Sequence, residues 1–154
     1  MESLRDASRA DRDQRALSGG ELFVFSLPIL QDPGLPIAAA RAGATGILDL
    51  SLASDPLLAQ QPAAKLARLA RGACGLLIAG DLGPVDRAAL AAVGSCDLVL
   101  LADDPDRSEA DWGKAVSAAR AVAQRVGAVC LSGAAALRAE RAGCDLLVAK
   151  GHEA

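Results

Sequence analysis

The nine residues LLVAKGHEA, 146–154, set Lys150, His152 and Glu153 within four positions of one another, directly after the apolar run Leu146 to Ala149. His152 is the only histidine of the chain. A histidine titrates near neutrality and can serve as base, acid or hydrogen-bond donor. A lysine at the end of a buried strand can form a Schiff base with a carbonyl substrate. The backbone N–H groups of a glycine-containing loop suit an anionic ligand. A lone histidine in a polar loop reads equally well as a solvated side chain.

Other chemistries lack their residues. No His-rich or Asp-x-Asp cluster offers a metal enough ligands. Cys74, Cys96, Cys130 and Cys144 are widely spaced, without a C-x-x-C pair, and each lies at or beside an apolar run. They read as small buried hydrophobes rather than zinc ligands or disulfide partners. There is no G-x-S-x-G nucleophile elbow and no G-x-x-x-x-G-K-[ST] phosphate loop.

Polar side chains also follow the other apolar runs. These are Ser26, Gln31 and Asp32, then Asp49, Asp81, Asp103 with Asp104, and Ser132. Asp32, Asp55 and Asp81 stand just before helical stretches, where a carboxylate caps the free N–H groups of the first turn. Capping or solvation is the preferred reading for each of them.

The elements that must position these groups repeat along the chain. Short apolar runs at 21–27, 46–50, 75–80, 97–103, 128–133 and 145–150 read as strands. Their hydrophobicity is continuous rather than alternating, as in parallel sheets covered on both faces. Alanine-rich stretches at 33–43, 56–71, 84–93, 107–126 and 134–142 read as helices. Pro33, Pro56 and Pro84 sit near helix starts, where a missing N–H costs nothing. Gly43, Gly72, Gly94, Gly127 and Gly143 follow the expected helix ends. The segments AAARAGATGILDL and ALRAERAGCDLLVAK share a helix, Ala-Gly, strand pattern, the mark of a repeated unit.

Six strands alternating with five helices form a run of right-handed β-α-β units. Two architectures accommodate it: an open doubly wound sheet, or part of an eight-stranded barrel. The first strand-to-helix turn, SLPILQDPG, has a single glycine instead of G-x-G-x-x-G. The barrel is therefore favoured. The expected fold is α/β: an incomplete (β/α)8 TIM-type barrel of about six parallel strands and five helices. In either architecture functional groups collect beyond the carboxyl ends of the strands.

Composition sets outer bounds. The 154 residues suffice for one domain with a sizeable core. Residues 1–20 form a polar leader, and 21–154 the barrel units. Net charge is −3 with acids and bases interspersed, and aromatics make up 2%, so neither a basic stripe nor stacking platforms support nucleic-acid binding. No stretch reaches the length of a membrane span, and the charged N-terminus lacks the apolar core of a signal peptide. A cytoplasmic location is the expectation.

The ending AGCDLLVAKGHEA resembles the strand-and-loop signature of the nitronate monooxygenase (2-nitropropane dioxygenase) family, in which the loop reads roughly G-x-E-A-G-G. Gly151, His152, Glu153 and Ala154 match its first half. The opening FVFSLPILQDPGLPIAAARAGATGILDL is similar to that family's first strand, helix and second strand. There A-x-A-x-x-A-G-x-x-G-x-L recurs; here Ala38, Ala40, Ala42, Gly43, Gly46 and Leu48 follow it with one residue fewer between Ala40 and Ala42. The Lys-Gly-His-Glu variant looks like flavin-barrel regions at the N-terminus of modular polyketide synthases.

The resemblance implies an FMN-binding (β/α)8 oxidoreductase, related to flavin-dependent enoyl-acyl-carrier-protein reductases. Its substrate would be a nitronate or an acyl thioester, and other domains of a polyketide synthase would be its partners. Carried over residue by residue, the flavin contacts are Ser26, Leu27 and Pro28 in the loop that runs to Leu30. At the sixth strand they are Lys150, Gly151, His152, Glu153 and Ala154. No catalytic residue carries over. The family's histidine follows the glycine pair, beyond Ala154, so His152 is not its counterpart. Pro28-Ile29 replaces a methionine-containing turn. The chain then reads as six of eight units, inactive alone and prone to self-association through its open edges. Two alternatives remain: a non-catalytic structural or docking barrel module of a multi-domain synthase, and an aldolase using Lys150 as its amine.

Overall fold

The computed structural model describes residues 20–151. The leader expected over residues 1–20 lies outside the described residues except for Gly20. Six strands and five helices alternate: β1 (Phe23–Phe25), α1 (Gly34–Arg41), β2 (Thr45–Asp49), α2 (Pro56–Leu69), β3 (Cys74–Ile78), α3 (Pro84–Val93), β4 (Cys96–Leu101), α4 (Glu109–Arg120), β5 (Ala123–Cys130), α5 (Gly133–Arg141) and β6 (Leu146–Ala149). All strand pairs are parallel, and the sheet order is β1-β2-β3-β4-β5-β6. Sequential order with a helix in every crossover is the barrel arrangement, not the doubly wound one, whose order reverses. The sheet curls into an incomplete TIM-type barrel.

The inner strands β2, β3 and β4 bury both faces, which accounts for their continuous apolar runs, whereas β1 is half-buried and β6 leaves Leu147 and Ala149 exposed. On the convex face Leu48, Leu76, Ile78, Val99, Leu101 and Val126 pack against the helices around Trp112, Ala63, Leu66 and Ala89. Inside the curl Ile47, Leu77, Leu98, Leu100 and Val129 form a second cluster, joined by Phe23, Phe25, Leu146 and Val148. Phe23 and Phe25 of the first strand thus share a cluster with residues of the last. This is the side-chain signature of curvature.

Helix starts follow local chemistry. Asp55 accepts from the N–H of Leu57 at 2.8 Å, with Pro56 at the first helical position of α2. Ser108 and Ser132 cap α4 and α5 through the N–H groups of Asp111 and Ala135. Asp32 and Asp81 each accept from the glycine N–H two residues on, at 2.9 and 2.7 Å. The expected capping aspartates are therefore caps or turn braces.

Four expectations need correction. The helix expected over 107–126 is cut short: α4 ends at Arg120 and β5 already begins at Ala123. Gly127 therefore does not end a helix. It sits inside β5, where a Cβ would meet Leu146 Cγ at 2.7 Å and Leu100 Cδ2 at 2.8 Å. The strand expected at 128–133 ends at Cys130, which frees Ser132 to cap α5. Gly72 likewise does not carry the left-handed turn, which falls to Arg71 at φ 54°. Gly72 is needed because a Cβ there would stand 2.2 Å from the carbonyl oxygen of Ala40.

Candidate functional site at the carboxyl rim

Parallel strands in one curled sheet bring all six carboxyl ends to one rim. Ser26 and Lys150 follow the two outer strands at that rim. Ser26 is buried, donates its N–H to Ile47 O at 2.9 Å, and accepts the N–H of Asp49 on Oγ at 2.8 Å. Among the described residues its hydroxyl proton has no acceptor. Asp49 is itself buried, and its Oδ1 accepts from both the N–H and the hydroxyl of Ser51, at 2.9 and 2.6 Å. Ser26, Asp49 and Ser51 thus form one continuous polar contact across β1 and β2.

Past Ser26 the chain turns, with the N–H of Leu30 on Leu27 O at 3.2 Å. Pro28 is half-buried, while Leu27 and Ile29 are 65% and 83% exposed. The loop thus holds Leu27, Ile29 and Leu30 in solvent just past the end of β1. At the other edge Lys150 donates its N–H to Cys130 O at 3.0 Å, and its side chain and Gly151 are exposed. Among the described residues no carboxylate lies within ion-pair distance of the Lys150 amine. An exposed lysine lacks the buried setting that aldolase chemistry requires. His152, Glu153 and Ala154, the remaining members of the expected site, lie outside the described residues. The rim therefore joins Ser26 to Asp49 but leaves Ser26 and Lys150 at opposite edges of the sheet, with no hydrogen bond between them.

The middle of the rim holds a group not anticipated from the sequence. Arg107, 7% exposed, lies over the ring of Trp112 at 4.5 Å and donates Nη2 to Ala79 O. Among the described residues its Nε and Nη1 have no partner, nor has Asp103 Oδ1. Burial lowers the Arg107 pKa, and Asp104, Asp86, Asp103 and Asp81 oppose that shift. Across the same turn Asp86 Oδ2 accepts the N–H groups of Gly80 at 2.7 Å and Leu82 at 3.1 Å. Burial pushes the Asp86 carboxyl above the ordinary range against these hydrogen bonds. The turn 79–83 is thus held between a buried cation and a buried acid.

One sequence signal for Asp86 existed. It is the third residue of α3, the position from which an acid reaches back to N–H groups ahead of a helix. Nothing in DDPDRS marks Arg107 as buried, because that burial depends on Trp112 arriving from α4.

Most other rim carboxylates are spent on the backbone. Asp103 accepts from the N–H of Leu131 at 2.8 Å, and Asp104 from that of Asp106 at 3.0 Å. Among the described residues no group of three or more His, Cys, Asp or Glu is placed to hold a metal ion. No helix there is long and apolar enough to cross a membrane. Cys74, Cys96 and Cys130 are buried, Cys144 is half-buried, and all four are free thiols.

No protein-family model and no curated protein matches the chain. Among solved structures it is similar to FabK from Thermotoga maritima, with a TM-score of 0.65 at 20% identity. The match covers 84% of this chain and 40% of FabK, so the chain spans two fifths of that protein's length. At this identity the likeness establishes the fold.

Proposed function

We propose that the chain supplies six units of an FMN-dependent oxidoreductase barrel of the nitronate monooxygenase type. One observation carries this reading. The strand ends that bear the flavin-contact residues implied by the sequence resemblance, Ser26 after β1 and Lys150 after β6, lie on one rim of a parallel curled sheet. The fold likeness to FabK supports a flavoenzyme-type barrel.

The described residues fit an anionic, aromatic group. Ser26 keeps a hydroxyl proton to donate, and the Lys150 amine meets no carboxylate among the described residues. Leu27 and Pro28 offer apolar contact beside them. In this reading Lys150 binds phosphate or ring oxygen, and the N–H of Gly151 adds a donor. The loop from Leu27 to Leu30 excludes water from one side. FMN, when bound, supplies electron exchange with substrate and oxygen. A nitronate or an acyl thioester is the substrate class, and a multi-domain polyketide synthase the setting.

Titration of FMN with the full chain, followed by flavin fluorescence, tests the reading. Saturable quenching is expected, weakened about tenfold, or ~1.4 kcal/mol, in Lys150→Ala. Fluorescence unchanged up to about 1 mM protein refutes it.

A second reading, a non-catalytic barrel module, is favoured by one observation. Asp49, Asp81, Asp103, Asp104 and Ser132 each accept a backbone N–H nearby, which leaves few rim groups for chemistry. Absence of flavin binding together with a cooperative melt would select it.

A further inference from the structure

Five buried side-chain atoms have no hydrogen-bond partner among the described residues, and all belong to one stretch of the curl. They are Asp103 Oδ1, Arg107 Nε and Nη1, and Trp112 Nε1, with Arg138 Nε on the next helix. The first four are neighbours. The Arg107 guanidinium lies 4.5 Å over the Trp112 ring, and Asp103 is near enough for its charge to act on Arg107. Three of these atoms are N–H donors and the fourth is a carboxylate oxygen. Folded interiors leave few such groups unpaired, because each gives up its hydration without return.

The chemistry of the four atoms defines what can satisfy them. The ligand must accept from N–H groups and donate to a carboxylate. An anion is repelled, since Asp104, Asp86, Asp103 and Asp81 all act on the guanidinium from close by. A metal ion meets donors at three of the four atoms. None of the nearby carboxylates takes the unpartnered N–H groups of Arg107, and among the described residues it forms no ion pair. Each accepts from the backbone instead: Asp86 from Gly80 and Leu82, Asp81 from Gly83, Asp104 from Asp106, and Asp103 through Oδ2 from Leu131. Arg107 and Trp112 are 7% and 0% exposed, so the ligand is small. Water meets every condition, for it accepts and donates, and a buried water makes about three hydrogen bonds.

We propose that the middle of the carboxyl rim holds an internal water, which accepts from Arg107 and from Trp112 Nε1 and donates to Asp103 Oδ1. The site ties three units together. Arg107 reaches the end of β3 through Ala79 O, and Asp103, just past β4, reaches the end of β5 through the N–H of Leu131. The water joins those two links, so the turn 79–83 and the start of the β5–α5 connection share one hub. The site is independent of flavin binding.

Trp112 is the only tryptophan of the chain, so its indole N–H gives a single resolved signal. A hydration NOE spectrum of the 15N-labelled full chain, at mildly acidic pH where indole and guanidinium protons exchange slowly, tests the site. A cross peak from the indole N–H to water is expected, with the sign of a water held for nanoseconds or longer. Arg107→Met should lose it. Absence of the peak in the parent overturns the proposal, and so does a peak that Arg107→Met leaves unchanged. Titration of the parent with sodium formate or phosphate, followed by Trp112 fluorescence, is the second arm. No saturable change is expected, and a saturable shift in emission would give the site to an anion and overturn the proposal.

Discussion

Arg125 of β5 donates two hydrogen bonds to the carboxylate of Glu21, 104 residues earlier, at 2.8 and 2.6 Å. The two residues belong to opposite parts of the sheet. Glu21 shares the inward parity of Phe23 and Phe25, and Arg125 that of Gly127 and Val129. The pair therefore crosses the amino end of the curl, below the inner cluster, while the hydroxyl of Thr45 braces Glu21 at 2.9 Å. Hydrogen bonding to Arg125 holds the Glu21 carboxyl below the ordinary range.

The sign of the pH effect follows. A depressed folded pKa contributes stability above the unfolded value, and that contribution fades as pH falls through the folded one. Both side chains are more than a third exposed, so the energy is discounted for solvent. A double-mutant cycle of Glu21→Ala and Arg125→Ala should give a coupling of about 0.5–1 kcal/mol at pH 7. It should shrink in about 1 M salt and vanish well below pH 4. Coupling unchanged by salt would show that the pair does not act as a solvent-screened ion pair.

Two glycines of the sheet should tolerate no side chain. At Gly46 a Cβ would stand 2.0 Å from the carbonyl oxygen of Pro36, and at Gly75 2.2 Å from that of Leu98. Backbone cannot swing aside as a side chain can. Gly46→Ala and Gly75→Ala should each cost upward of about 3 kcal/mol in chemical denaturation. Gly113 inside α4 meets nothing within 4 Å. Gly113→Ala should stabilise by about 0.5–1 kcal/mol, and a loss there would contradict the packing described for α4.

Asp86 separates acceptor from charge. Asp86→Ala orphans the N–H groups of Gly80 and Leu82 and should cost about 2–4 kcal/mol. Asp86→Asn retains a carbonyl acceptor and removes a buried charge. Because the folded pKa is raised, the ionised carboxylate costs stability once pH exceeds that pKa, and protonation recovers it as pH falls. Asp86→Asn should therefore lie far closer to the parent than Asp86→Ala at pH 7. It should also lose the parent's gain in stability on mild acidification, read from melts between pH 4 and 7.

Burial pushes the Cys96 thiol up to about 12 and the Cys144 thiol to about 11. A raised folded pKa gives stability that is intact below the unfolded value and lost as pH climbs toward the folded one. Stability should fall from about pH 9 upward, at most ~1.4 kcal/mol per pH unit for Cys96. Cys96→Ala should flatten that slope. In the parent at pH 8, a thiol reagent should label Cys96 only as fast as the chain unfolds.

How much of this was legible in the sequence depends on the range of the interactions. Continuous apolar runs, prolines at helix starts and aspartates before helices act within a few residues, so strand count, parallel class and caps could be read directly. The start of β5 could not. Ala121 to Val126 is compatible with a helix, and only the pairing of Ala123 to Val126 with β4 makes it a strand. The glycines illustrate the same divide. Gly43 and Gly143 have φ of 90° as their helix-end positions suggest, whereas Gly72 and Gly127 answer to atoms from distant segments. At the rim, Ser26 and Lys150 are positioned by the ends of their own strands. Arg107 and the Glu21–Arg125 pair exist only once remote elements meet.

Because each strand pairs with its predecessor in the chain, a growing polypeptide can dock every unit as soon as it leaves the ribosome. Among the six described strands, each pairing joins neighbours in the chain. The exception is the clasp at the amino end, whose arginine is synthesised 104 residues after its glutamate. Its formation would report, late in synthesis, that the curl has been set.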